Sequence, residues 1–205
     1  TDLDLYRPTS YADQFEFIRS TVGAERWLVC GYSIGASLTL NYAHTHANRV
    51  IGHIFTNSTS AFTDSNKIEG WQDNIQRGAD KIRAGGAAAI EKIPVHPKRA
   101  FTLPEPVYQA LLADAALLSP IGVANTYIGT MPHTNILGIA GKNSRPALMC
   151  WGQKERRFTP LAQWAIEHMT NLDVVKLNTG HGVNMEDSIG FNNAVTEFIR
   201  AHQTA

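Results

Sequence analysis

The chain is poor in cysteine, in net charge and in long apolar runs. Its 205 residues hold two cysteines, and its eighteen basic side chains are cancelled by eighteen acidic ones. Two thiols do not make a disulfide framework. Cys30 and Cys150 each end an apolar run just before a glycine, the setting of buried strand thiols that pack rather than react. Balanced charge without a Lys/Arg run argues against nucleic acid and anionic membrane surfaces as partners. No apolar stretch reaches the roughly 20 residues that cross a bilayer. Thr1-Asp2-Leu3-Asp4 has neither the charge nor the apolar run of a signal peptide, so the cytoplasm is the expected location. There is no internal repeat or low-complexity tract, and no metal or cofactor is called for.

What is present is a chain with 43% apolar residues, enough to bury one sizeable core. The stretch that organises it is Gly31-Tyr32-Ser33-Ile34-Gly35, with Trp27-Leu28-Val29-Cys30 before it and Ala36 to Ala43 after it. By residue frequencies, Gly-x-Ser-x-Gly arises by chance in roughly one chain in fifteen of this length. The flanks give it meaning: a short apolar run reads as a buried parallel strand and the residues after it as a helix. A serine on the sharp turn between them is lifted clear of the sheet. Glycines on both sides are expected to let strand and helix close on each other.

In chain order, residues 2–8 read as loop, and Ser10 is expected to cap a helix with Phe15, Ile18 and Val22 on its apolar face, closed by Gly23. A strand over 26–30, the turn at Ser33, a helix and a strand over 50–56 form a parallel crossover unit. Residues 58–144 carry helical signals only, broken by prolines and Gly85-Gly86, and read as a cap inserted over the strand ends. Sheet character returns over 145–152 and 172–177, with helices over 160–170 and 189–202. The expected division is a core of residues 1–57 and 145–205 with an insert of residues 58–144.

A serine hydroxyl needs a base to take its proton and a carboxylate to orient that base. Of the eight histidines, His181 alone follows a strand and lies between two glycines, in a loop able to reach the strand ends. Glu155, three residues beyond Gly152, is the leading carboxylate, with Asp64 as the alternative; Asp173 and Asp187 read as structural. The order Ser33, Glu155, His181 is the chain order of one known triad arrangement.

The run from Arg145 to Glu155 resembles the strand and acid loop of the α/β-hydrolase superfamily, and Gly180-His181-Gly182-Val183-Asn184-Met185-Glu186 resembles its histidine loop. With Gly31 to Gly35 these matches cover most of the chain. The resemblance implies an α/β fold with a mostly parallel sheet, and an enzyme that acylates Ser33 and releases product with water activated through His181. The substrate expected is a small ester or lactone. One oxyanion donor would be the backbone N–H of Ile34. Glu155 stands where the family more often has Asp. Arg83-Ala84-Gly85-Gly86-Ala87 and the segment around Arg99-Ala100-Phe101 resemble the cap of 3-oxoadipate enol-lactonases. Ala100 stands where that cap has Trp, and Arg99 and Lys98 read as a solvated basic corner.

In that family the strand before the nucleophile is central, and the second oxyanion donor comes from a loop after an earlier strand. The resemblance therefore implies that these residues are the C-terminal part of a longer hydrolase, with an N-terminal hydrolase fragment as partner. Two other readings stay open: a receptor or binding protein on the same fold, and an N-terminal nucleophile hydrolase acting through Thr1.

Overall fold

A computed structural model describes residues 2–202. Its frame is a four-stranded, wholly parallel sheet in the order β1 (Trp27–Gly31), β2 (Val50–Thr56), β3 (Ala147–Gly152) and β4 (Leu172–Leu177). The strands fall within a residue or two of the spans expected from their apolar runs. β3 is buried along its whole length and β2 at all but one residue, as a parallel sheet covered on both faces requires. Successive residues face opposite sides. Phe55, Met149 and Trp151 join one core with Leu40, Phe62, Ile136 and Phe158, while Ile54, Leu148 and Cys150 join another with Val183, Ala194 and Phe198.

The helices of the sheet region are α1 (Pro8–Thr21), α2 (Ile34–Thr45), α9 (Thr159–His168), α10 (Val183–Glu186) and α11 (Ser188–His202). Between β2 and β3 the chain is helical: α3 (Thr59–Phe62), α4 (Ser65–Glu69), α5 (Gln72–Ile90), α6 (Glu105–Ala115), α7 (Pro120–Gly129) and α8 (Leu137–Ala140). α5 bends at Gly86, whose φ of 58° lies outside helical space. Ala79, Ile82 and Ile90 of α5 pack with Ala124 of α7 in a core of their own, whereas Ala61, Phe62 and Ala140 belong to the main core. α3 and α8 are thus packed with the sheet, and the separately cored segment lies between them.

The start of the chain differs from expectation. Leu3–Tyr6 form a 3-10 turn rather than loop, with Asp2 accepting the Asp4 N–H at 3.0 Å. α1 begins at Pro8, whose missing N–H and fixed φ suit the first helical position. Ser10 lies inside the helix, and its hydroxyl donates to the Asp4 carbonyl at 2.6 Å instead of capping. The face that packs is Ala12, Phe15 and Arg19, while Ile18 and Val22 are exposed. A half-buried ion pair displaces the apolar stripe there: Arg19 binds both Glu16 oxygens, at 2.8 and 2.9 Å, and Glu16 accepts the Tyr42 hydroxyl. Cys150 is buried as expected, but Cys30 is exposed, because among the described residues β1 pairs only with β2 and forms an edge of the sheet.

Candidate active site

Each of the four parallel strands delivers one polar side chain just beyond its C-terminal end: Ser33 after β1, Asn57 after β2, Glu155 after β3 and His181 after β4. This is the end of an open α/β sheet where ligands bind.

At the first position the chain turns from β1 into α2 so sharply that Ser33 takes φ 52° and ψ −118°. A non-glycine residue there costs on the order of 1–3 kcal/mol and persists only where its surroundings impose it. Here the imposing contacts are visible. The Ser33 N–H donates to the Thr56 hydroxyl at 3.3 Å, and Gly31 lies so close to the carbonyl of Gly35 and the hydroxyl of Thr39 that a methyl group at Gly31 would collide with both. Thr39 in turn bonds the Gly35 carbonyl at 2.9 Å and the ring of His53 at 2.8 Å. His53 is completely buried, and loss of solvation holds its pKa down at about 3, so it is a neutral prop beneath the turn. The two glycines expected to act alike do not. Gly35 has open space where a side chain would go and an ordinary φ, so the close approach is the work of Gly31 alone.

Although Ser33 occupies the N-cap position of α2, its side chain caps nothing. Its hydroxyl lies 2.8 Å from His181 Nε2, and His181 Nδ1 lies 3.0 Å from Glu155 Oε2. A carboxylate only accepts, so Nδ1 carries the proton and Nε2 is left to accept from Ser33. Ile34, the proposed oxyanion donor, is the first residue of α2, where backbone N–H groups have no partner within the helix.

The loops carrying Glu155 and His181 are built against each other. The N–H groups of Gln153 and Lys154 donate to the carbonyls of Leu177 and Thr179 at 3.0 and 2.8 Å. Gly152 packs so tightly on the Gly180 carbonyl that no Cβ fits between them. Phe158, fully buried, anchors the far side of the acid loop.

Asn57, missed from sequence, completes the site. Its Oδ1 accepts the Gly152 N–H at 2.9 Å, while Nδ2 donates to the Gly152 carbonyl at 2.9 Å and to Glu155 Oε2 at 2.8 Å. These three bonds fix which way the amide points. Burial pushes the Glu155 carboxyl up, but the hydrogen bond and charge of His181, the Asn57 amide and Arg157 outweigh it and hold the group below the ordinary glutamate value. A lone asparagine after a strand carries no sequence signal that separates it from a turn residue.

Asp64 is not brought to His181; it is exposed and accepts the Asn66 N–H at 2.8 Å. Asp187 accepts the Gly190 N–H at 2.9 Å, and Asp173 lies exposed on β4. Lys98 pairs with Glu91 at 2.6 Å and Arg99 reaches the Lys92 carbonyl at 3.4 Å; both basic residues are exposed, and neither lines the cavity at Ser33. Thr1 lies outside the described residues. A cavity of about 290 Å³ opens at the site, lined by Ser33, Glu155 and His181 together with Thr59, Ser60, Trp71 and Val95. Among the described residues no group of His, Cys, Asp and Glu is arranged to hold a metal ion.

Fold and site together define a class. A family model described as the alpha/beta hydrolase fold matches residues 2–188, and the chain belongs to that family. Solved structures with the same fold include MenH from S. aureus, 18% identical with a TM-score of 0.84, where 96% of this chain matches 76% of that one. A thermophilic esterase from Thermogutta terrifontis is 19% identical with a TM-score of 0.81, over 96% of this chain and 73% of that one. The esterase EaEST from Exiguobacterium antarcticum is 15% identical with a TM-score of 0.77, over 98% and 76%. No curated protein matches the sequence.

Proposed function

We propose that this hydrolase cleaves a small ester by acyl transfer to Ser33. The reading rests on one observation: His181 lies within hydrogen-bond distance of Ser33 on one side and of Glu155 on the other, at 2.8 and 3.0 Å. In the first step His181 Nε2 takes the Ser33 proton as the hydroxyl oxygen attacks the ester carbonyl. The negative oxygen that develops lies toward the Ile34 N–H. His181 then returns the proton to the departing alkoxide; a water deprotonated at the same nitrogen attacks the acyl carbon, and as the bond to the Ser33 oxygen breaks His181 gives that proton back to Ser33, freeing the acid. Glu155 holds the proton-bearing Nδ1 and favours the charged imidazole that forms in each half-reaction.

The helices between β2 and β3 act in this reading as a cap, since Trp71 and Val95 supply the apolar wall of the cavity. The open edge of β1 adds a partner to the proposal: further strands of hydrolase chain pairing there would supply the second oxyanion donor. An intact-mass measurement of the purified material tests for that companion.

The test of the central reading is labelling with a serine-reactive phosphonate alongside hydrolysis of short-chain p-nitrophenyl esters. An adduct on Ser33, and losses on the order of a thousandfold or more in Ser33→Ala and His181→Ala, are expected. Folded protein that takes no label at Ser33 would instead be a binding module. Loss of activity in Thr1→Ala with Ser33 intact would move the chemistry to the N-terminus.

A further inference from the structure

We infer that Glu186 is a positioning residue that holds the His181 loop in register with Ser33, an inference that rests on the proposed hydrolase reading. Its two carboxylate oxygens are divided between the residues on either side of the histidine. Oε2 accepts the Gly180 N–H at 2.8 Å and Oε1 accepts the Gly182 N–H at 3.2 Å. α10 places the carboxylate there: Gly182 is its N-cap, and the Glu186 N–H returns to the Gly182 carbonyl at 2.7 Å. The geometry is a variant of the acid half of a capping box: Glu186, the fourth residue of α10 rather than the third, reaches back to the N–H of its own helix cap, Gly182, and with its other oxygen to Gly180.

The loop needs such a hold. The His181 side chain is 36% exposed, and the Tyr32 ring, 5.5 Å away and tilted by 55°, covers one side of it. Packing alone does not fix a ring that must meet two partners at once. Holding the N–H groups of Gly180 and Gly182, one on each side of His181, to one carboxylate restrains the backbone that carries the histidine, and with it the reach of Nε2. Glu186 does not stand in for Glu155: both of its oxygens are taken by backbone donors, whereas Glu155 Oε2 meets Nδ1. The two acids have separate tasks, one on the ring and one on the backbone that carries it. The sequence contains the signal, because an acid four residues beyond a Gly-His-Gly is at the spacing where one helical turn folds it back on the loop.

Glu186→Gln tests the assignment. The amide has one accepting oxygen, so one glycine N–H loses its partner and faces an N–H donor instead. With p-nitrophenyl acetate, kcat is expected to fall on the order of tenfold to a hundredfold while KM stays within about twofold, because a displaced base slows chemistry without touching ester binding. The rate of phosphonate labelling at Ser33 should fall in parallel. Amide hydrogen exchange in the unmutated protein gives a readout independent of folding in the variant: the Gly180 and Gly182 N–H groups should both be protected. An unchanged kcat in folded Glu186→Gln, a loss carried by KM, or free exchange at both glycines overturns the inference. Absence of any label at Ser33 in the unmutated protein overturns the hydrolase reading instead, and leaves the exchange result to speak for the clamp itself.

Discussion

Asn57 donates to the same oxygen of Glu155 that faces His181, at 2.8 Å, while gripping both backbone groups of Gly152. One buried amide thus ties the end of β3 to the carboxylate in the loop that follows it. Asn57→Asp keeps the shape and removes the donors, setting a second carboxylate against the first. Two carboxyl groups in one site resist joint ionisation, so one of them takes up a proton at higher pH. In the unmutated protein the Glu155 carboxyl is held below its ordinary value, so its ionised form persists into acid. The acid limb of kcat/KM against pH should therefore move upward in Asn57→Asp. At neutral pH the loss should be about tenfold to a hundredfold, the equivalent of one hydrogen bond to a charged group. Superimposable pH profiles would show that Asn57 does not act through Glu155.

Glu155→Gln asks a different question of the same corner. A carboxamide can offer its N–H₂ to Nδ1 and so favour the wrong ring tautomer, with the proton on Nε2 where Ser33 needs an acceptor. A loss on the order of a thousandfold or more in kcat is expected, with KM nearly unchanged. Asp64→Asn, at an exposed side chain remote from His181, should leave the rate within about twofold, as surface changes usually do. Equal losses in the two variants would contradict the assignment of Glu155.

The turn at Ser33 makes a prediction about two glycines that look equivalent on paper. Gly31→Ala puts a methyl group into the Gly35 carbonyl and the Thr39 hydroxyl, neither of which can retreat without opening the turn. Gly35→Ala puts one into open space and adds a better helix former to the first turn of α2, worth up to about 1 kcal/mol. Expression, thermal midpoint and phosphonate labelling should all suffer in Gly31→Ala, whereas Gly35→Ala should fold and label much as the parent does. The reverse order would mean that the strand and helix do not meet as described.

These cases mark how far the sequence could be read. Period and run length were enough to find all four strands, because β2 and β3 are buried on both faces and read as continuous apolar runs. Ser33 and His181 were legible through the glycines beside them, and Glu155 through its distance from Gly152. Contacts between segments far apart in the chain were not. Asn57 meets Glu155 across 98 positions, and no local pattern records such a meeting. The network at Arg19 is mixed: Glu16 lies three residues away on the same helix, but Tyr42, which completes it, is 26 positions from Glu16. The packed face of that helix differs from the expected one at Ile18 and Val22 alone: Phe15 packs, and a satisfied ion pair at Arg19 continues the face in their place.

That ion pair sets the acid stability of the region beneath the turn. Glu16 is held at about 2, against an ordinary 4.5, chiefly by the Arg19 hydrogen bond; burial opposes this, and the Tyr42 hydroxyl and the charges of Arg19 and His46 assist. Trp27 of β1 donates its indole N–H to the same Tyr42 hydroxyl at 3.1 Å, so the network joins α1, α2 and β1. The sign follows from linkage. Between pH 4.5 and about 2 the unfolded chain binds a proton at Glu16 that the folded chain refuses, so stability contributed by this group is complete above about 4.5 and drains away as pH falls toward 2. Glu16→Gln removes that dependence. Urea unfolding at a series of pH values should show the variant less stable than the parent by a constant amount above about pH 4.5, with the gap narrowing steadily as the solution is acidified toward pH 2. A gap that stays constant through that window would mean that Glu16 contributes packing alone, and that the charge on Arg19 is satisfied by the carbonyl of Ala24 rather than by its carboxylate partner.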